Sequence, residues 1–490
     1  MLQGVQMQFH KDDIVTVTIE DLGASGEGIG HADGFTLFIK DALPGDTVRA
    51  KIMKVKKGYG YARLLEIAEP SSYRVPALCP AARPCGGCQV QELSYEKQLE
   101  FKYRKVHEDL IRIGGFDGET VDGVMQPVLG MDDPWHFRNK AQFPIGDREG
   151  EPVAGFYAAR THHIIPVQDC LIGAPENAPI VRAVLDYMKQ YHVFAYDEKT
   201  GKGLVRHILI RSGYYSGQIM VCLVINGRRL PEEDRLIEAL TGIAGMTSIS
   251  VSINTQRTNV ILGQEIRTLW GSSTITDTLR VLECTPGDAE QGRRDVVFTP
   301  EGRETVFSIS PLSFYQVNSE QTEKLYSLVR YFAALTGNEV VWDVYCGVGT
   351  ISCFLAPDAK EVYGVEVIPD AIRDARENAR INGLDNVVFE VGKAEDVLPA
   401  YVREGGGYCT VDVIVVDPPR KGCDPLCLQT ILDVHPKRIV YVSCDPATLA
   451  RDLKILASGG YGIRMIQPVD MFPHSIHVET VVGLSLFRHP

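Results

Sequence analysis

From Asn338 to Phe487, short runs of β-branched residues alternate with helical stretches. That alternation predicts a doubly wound parallel sheet with helices on both faces. Val340–Tyr345, Val362–Glu366, Val387–Glu390, Val411–Val416, Ile439–Val442, Gly462–Ile466 and Val478–Phe487 read as its strands. Pro369–Asn382 reads as a helix closed by Gly383. Ligands of such sheets bind at the carboxyl ends of the strands, so the residues there are the ones to inspect.

The strand tips carry reactive groups. The first runs into Cys346-Gly-Val-Gly-Thr350, a turn that lets a cofactor approach the backbone, and the second ends in Glu366, suited to the two hydroxyls of a ribose. The third glycine of the dinucleotide fingerprint is absent. The fourth strand ends in Asp417-Pro-Pro-Arg420 and the fifth in Ser443-Cys-Asp-Pro446. Thr448 is expected to cap the helix that follows, and that helix N-terminus to lower the pKa of Cys444. A small hydrophobe filling the strand end is the bland alternative for Cys444, as Cys222 in Ile219–Val224 is expected to be. Glycine turn, acidic tip, rigid aspartate loop and exit cysteine together point to a methyltransferase site using S-adenosylmethionine.

A chain of 490 residues exceeds one core, so two or three domains are expected. We expect a small barrel over residues 1–70, a mixed α+β middle domain over 71–310 and the α/β domain over 311–490. The barrel rests on short strands at Ile14–Ile19, Thr36–Ile39, Asp46–Ile52 and Tyr61–Leu65, punctuated by glycines. Arg49, Lys51, Lys54, Lys56, Lys57 and Arg63, interleaved with Tyr59 and Tyr61, suit a phosphate backbone and unpaired bases; a solvated hairpin tip is the alternative. The net charge of −13 excludes a uniformly basic nucleic-acid binder but not a basic face. No apolar run approaches a bilayer span and the first ten residues lack a signal-peptide pattern, so the cytoplasm is expected, with no membrane partner.

Cys79, Cys85 and Cys88 lie within ten residues, with Gly86-Gly87 letting the backbone wrap closely. This spacing suits a metal site with a fourth ligand elsewhere, Cys170 being the nearest later cysteine; zinc and iron–sulfur both stay open. Gln89–Arg112 reads as an amphipathic helix. Val205–Ile210, Gln218–Ile225 and Ser248–Ile253 read as strands of one sheet. Trp135–Lys140 places Arg138 and Lys140 beside two aromatics, as an RNA-facing loop or a solvated strand end.

Gly26–Gly30, Ala42–Gly45 and Lys54–Lys57 resemble the TRAM domain, a module of RNA-modifying enzymes. Ser313-Phe-Tyr-Gln-Val-Asn318, Asp343–Gly349, Gly364–Glu366, Asp417–Arg420, Val442–Pro446 and His477–Glu479 resemble the RNA uracil-C5 methyltransferases. Together with the four cysteines and His136–Lys140, they look like the branch acting on 23S ribosomal RNA, and the resemblance spans nearly the whole chain. It implies that Gln316, Tyr345, Glu366 and Asp417 bind S-adenosylmethionine, that Cys444 is the nucleophile and Glu479 the base. It also implies that Cys79, Cys85, Cys88 and Cys170 hold a [4Fe-4S] cluster. RNA rather than DNA is the expected partner, and a monomer the expected state. Asp445 departs from the asparagine common in the family. A non-catalytic RNA-binding module is disfavoured by the intact Cys444, Asp417 and Glu479. A transfer RNA uridine substrate is the nearer alternative. Cytosine-C5 methylation is disfavoured because Arg420 follows the prolines where those enzymes carry a second cysteine.

Overall fold

In the computed structural model, residues 9–167, 169–287, 296–404 and 411–487 are described. They form two compact units. The first comprises residues up to Lys102 with Tyr157–His163 and Phe472–Ile476; the second holds Tyr103–Phe156, Ile164–Met471 and the rest. No helix among the described residues is long and apolar enough to cross a membrane.

The first unit begins with five strands closed into a barrel, β1 (Ile14–Leu22), β2 (Gly28–Ala32), β3 (Phe35–Lys40), β4 (Thr47–Val55) and β5 (Tyr59–Glu69), in the order β1-β2-β3-β5-β4. Strand alternation sends Val48, Ala50 and Ile52 into the barrel core with Ile19, Leu37 and Ile39. The glycine-rich Gly28–Ala32, expected only as turn punctuation, is a paired strand. Gly28 and Gly30 permit it, since a Cβ at either would lie 2.6 Å from a backbone oxygen.

The second unit contains a seven-stranded sheet built from β6 (Lys140–Arg148), β7 (Glu151–Tyr157), β8 (Ile164–Pro166), β9 (Val205–Ser212), β10 (Ile219–Ile225), β11 (Met246–Ile253) and β12 (Glu265–Gly271), ordered β12-β11-β10-β9-β6-β7-β8. The three strands expected to share a sheet, β9, β10 and β11, are neighbours in it. β13 (Ile275–Pro286) and β14 (Val296–Ile309) pair as a long antiparallel ribbon.

The remaining strands are β15 (Val340–Val344), β16 (Glu361–Glu366), β17 (Val387–Val391), β18 (Val413–Val416), β19 (Arg438–Ser443), β20 (Tyr461–Val469) and β21 (Glu479–Leu486). They lie in the order β17-β16-β15-β18-β19-β21-β20, with β15 to β19 parallel and β21 antiparallel to both neighbours. The order reverses at β15, so its carboxyl end opens the crevice where such sheets take a ligand.

Candidate active site

The crevice at β15 is shaped by backbone conformation first. Tyr345, Gly347 and Gly349 all have positive φ, +68°, +55° and +75°. At Gly347 a Cβ would meet nothing within 4 Å, so the turn presents bare backbone to open space. At Gly349 a Cβ would lie 2.6 Å from the Phe389 ring, so glycine there is demanded by packing as well as by φ. Asp343 on β15 is fully buried, accepts the Ser352 hydroxyl at 2.5 Å and keeps its other oxygen unpartnered. Burial pushes its carboxyl up to about 7, against the Ser352 hydrogen bonds, with Glu366 adding to the rise.

Glu366 ends β16 half-buried, one carboxylate oxygen accepting the Ile368 N–H at 3.0 Å. Tyr345 stands one residue past β15, and its hydroxyl accepts the Asp424 N–H at 3.4 Å. Gln316 is 9% exposed and its carbonyl accepts from Asn139 at 2.9 Å. Two residues on, Asn318 caps the helix Ser319–Ala333 by accepting the Gln321 N–H. Arg138 and Lys140 flank this Asn139 contact, at the start of β6. Burial, with Arg211 and Arg138 nearby, brings the Lys140 amine down to about 7.

Register brings the two expected catalytic side chains together. β19 and β21 pair antiparallel with Ser443 opposite Thr480, so the next step of the ladder sets Cys444 beside Glu479. Asp417 follows β18, which lies between β15 and β19, and its N–H reaches Val344 O at 3.4 Å. The three groups act on one another electrically. Burial pushes the Cys444 thiol up to about 12, with Glu479 and Asp417 adding to the rise and Arg420 opposing it. Burial likewise raises Glu479 to about 8, helped by Asp417 and opposed by Arg420. Asp417 rises to about 7, through burial and then Asp343.

Two expectations are corrected here. The helix Pro446–Ser458 is capped by Asp445, whose carboxylate accepts the N–H groups of Ala447 and Thr448 at 3.1 Å each. Pro446 occupies the first turn, which places the cap one residue before it and Thr448 inside the helix. The thiol of Cys444 is raised rather than lowered, because burial among carboxyl groups outweighs the helix terminus.

The cysteine-rich segment belongs to the first unit and Cys170 to the second. Among the described residues no group of three or more His, Cys, Asp or Glu side chains is gathered to hold a metal ion. The ligand set expected at Cys79, Cys85, Cys88 and Cys170 is thus divided between the two units.

The basic run on the barrel is also trimmed. Arg49 pairs with Glu66 at 3.2 Å and Lys51 with Asp12 at 2.9 Å, so two of its six cations are locally neutralised. Lys54, Lys56, Lys57 and Arg63 stay exposed. Beside them the rings of Phe38, Tyr59 and Tyr61 form a cluster with centroids 5.7, 5.6 and 5.8 Å apart. Phe38 escaped the sequence reading because it sits on β3, eleven residues before the basic run begins; the pairing of β3 with β5 brings it opposite Tyr61. Asp343 was legible only as part of a motif, although an aspartate inside Val340–Val344 is itself a signal of a polar demand.

Residues 12–65 match the TRAM domain, and residues 294–487 match the tRNA (Uracil-5-)-methyltransferase family. An uncharacterised RNA methyltransferase of Halalkalibacterium halodurans is 48% identical over 98% of this chain and 99% of its own length. One of Listeria innocua is 46% identical over 97% and 98%. The crystal structure of the Pyrococcus abyssi tRNA (uracil-54, C5)-methyltransferase, in complex with S-adenosyl-L-homocysteine, superposes with a TM-score of 0.73 at 27% identity, covering 96% of this chain and all of that one. With its barrel, its strand order and these relatives, the chain belongs to the RNA (uracil-5-)-methyltransferases and carries a TRAM domain at its amino-terminal end.

Proposed function

We propose that the enzyme methylates C5 of a uridine in 23S ribosomal RNA, with Cys444 as nucleophile and Glu479 as base. The observation that carries the catalytic part is the register of β19 and β21, which sets a thiol and a buried carboxyl at one strand end. C5 of uracil is a weak carbon nucleophile. The Cys444 thiol releases its proton to solvent as its sulfur bonds to C6, which opens the C5–C6 double bond into an enolate and places electron density on C5. S-adenosylmethionine, when bound, supplies the electrophilic methyl group. Glu479 then takes the C5 proton, C5–C6 re-forms, and the Cys444 sulfur leaves C6. A carboxyl held near 8 suits that role, since its basicity lies close to working pH.

The bare turn at Gly347, the half-buried Glu366 and the raised Asp417 fit a nucleoside cofactor, Tyr345 follows the same strand, and Gln316 joins them through the family resemblance. We assign these four side chains to S-adenosylmethionine; the bound product in the Pyrococcus abyssi enzyme supports that choice of cofactor. The target uracil must leave its stack to meet Cys444, which favours loop or single-stranded RNA.

The same neighbour acts on transfer RNA, and its likeness runs through nearly the whole chain. Transfer RNA is therefore the second reading of the substrate. The cysteine neck beside the barrel favours the ribosomal one, through the family resemblance. Methyl transfer to unmodified 23S and transfer RNA transcripts, with the modified position mapped, separates the two.

We keep the cluster as a proposal on donor chemistry alone. Three thiols share one ten-residue turn, and the Cys85 sulfur accepts the Gly87 N–H at 3.4 Å, as metal-bound thiolates commonly do. No step of methyl transfer needs it.

The catalytic assignment is tested by two variants. Cys444→Ala is expected to lose both methyl transfer and any covalent adduct. Glu479→Gln is expected to add and methylate but not eliminate, leaving methyl-labelled RNA bonded to protein on a denaturing gel. Normal turnover by Glu479→Gln would move the base elsewhere.

A further inference from the structure

Asp452 lies in the helix that follows Cys444 and is fully buried. A buried carboxylate is costly unless its oxygens are satisfied, and this one is satisfied from three directions. One oxygen accepts the Cys423 N–H at 2.8 Å and the Tyr441 hydroxyl at 2.6 Å. The other accepts Arg451 Nε at 2.8 Å. Tyr441 is on β19, three residues before Cys444. Cys423 lies on the loop that starts at Asp417 and carries Arg420.

The same helix face holds the loop at two further points. The Thr448 hydroxyl donates to Arg420 O at 3.2 Å, and Arg451 Nη2 donates to Lys421 O at 3.0 Å. Residues 448, 451 and 452 stand three and four apart, so they project from one side. Gly422 shows how closely the loop lies against them. Its φ is +78°, and a Cβ there would lie 2.4 Å from Arg451 Nη2 and 2.6 Å from Asp452 Oδ2.

We propose that Asp452 is a positioning residue for methyl transfer: it ties the Asp417–Asp424 loop to the strand and helix that flank Cys444. Through that tie, Asp417 and Arg420 keep their place beside Cys444 and Glu479, whose protonation they set in opposite directions. Arg451 and Thr448 serve the same tie from the surface. The inference rests on Cys444 being the nucleophile.

The test uses the full-length enzyme on whichever transcript, 23S or transfer RNA, the wild type methylates. Asp452→Asn keeps the shape but has a single accepting oxygen, so it cannot serve Cys423 and Tyr441 on one side and Arg451 on the other. Its kcat, counted per S-adenosylmethionine-binding site by titration calorimetry, is expected to fall about a hundredfold, the scale of an ångström's misplacement, with KM values unchanged. Arg451→Gln alters a half-exposed side chain and leaves the Asp452 bonds to Cys423 and Tyr441 in place, and kcat is expected to fall severalfold with the same unchanged KM. A residue that merely stabilises the fold would lower the melting temperature and the number of binding-competent sites, leaving kcat per site intact. That result in Asp452→Asn, or in Arg451→Gln if Asp452→Asn fails to fold, overturns the proposal. An active Cys444→Ala enzyme would instead overturn the reading of the nucleophile, so the two failures are distinguishable.

Discussion

Glu479 and Asp417 give up their protons at higher pH than solvated carboxyls do. Burial raises both, Glu479 to about 8 with Asp417 adding to the rise and Asp417 to about 7 with Asp343 adding to it. Protonation is therefore tied to stability. A carboxyl whose folded pKa lies above its unfolded value stabilises the fold at low pH, and that contribution is lost as pH rises through the folded value. For Asp417 the window runs from the ordinary value of 3.8 to about 7. Asp417→Asn carries no charge at any pH, so its melting temperature should come closest to the wild type near pH 4, at the foot of that window. It should exceed the wild type at pH 8.5, where Asp417 is forced to ionise in a desolvated place. Equal melting temperatures at both pH values would mean that Asp417 is ordinarily solvated. The sequence marked these residues by their place at strand ends, but not their proton affinities. Those depend on Asp343 and Arg420, which periodicity does not connect to them.

The helix after Cys444 is decided by its cap. Asp445 satisfies two N–H groups of the first turn, and Pro446 fixes the entry. Asp445→Ala should destabilise the enzyme by about 1 kcal/mol in denaturant unfolding, the usual cost of a lost cap, while Asp445→Asn should be near neutral. A neutral Asp445→Ala would show that the helix is held by packing alone. The departure at Asp445 from the family's asparagine is thus a change of charge with the capping function retained. Elements of this kind were largely legible: the alternation of apolar runs with helical stretches located every strand from β15 to β21, because the central strands are buried on both faces and read as continuous apolar runs. The cap was misplaced to Thr448 because threonine, aspartate and proline are all good first-turn residues, and only φ separates the cap from the turn. Asp452 was not legible as anything but a helical residue. Its partners Cys423 and Tyr441 lie 29 and 11 positions away, and they meet it only because β18 and β19 are neighbours.

For the whole molecule, a net charge of −13 must be reconciled with an RNA substrate. The barrel supplies a local exception, Lys54, Lys56, Lys57 and Arg63 beside the Phe38–Tyr59–Tyr61 rings. Replacing Lys54, Lys56 and Lys57 together with Gln should weaken RNA binding. It should also reduce the slope of log affinity against log salt by about 2, three phosphate contacts to a single strand. S-adenosylmethionine affinity should be unchanged; an unaltered salt slope would reduce the run to a solvated tip. Iron and sulfide analysis of anaerobically purified protein decides the cluster. Brown protein with stoichiometric iron that Cys85→Ser loses would support it, and colourless protein with zinc would end it.

The make-up of the first unit also sets a timetable. Gln98 accepts the His474 N–H at 2.9 Å, and Lys102 donates to Phe472 O at 3.0 Å, partners that lie up to 376 residues apart. At synthesis rates of 5–20 residues per second, roughly 20 to 75 s pass between emergence of the two partners. The barrel core draws on residues 9–67 alone and can close early in that interval. The cysteine-rich segment and the helix behind it must wait on the ribosome with their later partner segment, Phe472–Ile476, missing, exposed to chaperones and to any assembly factor that would load their thiols.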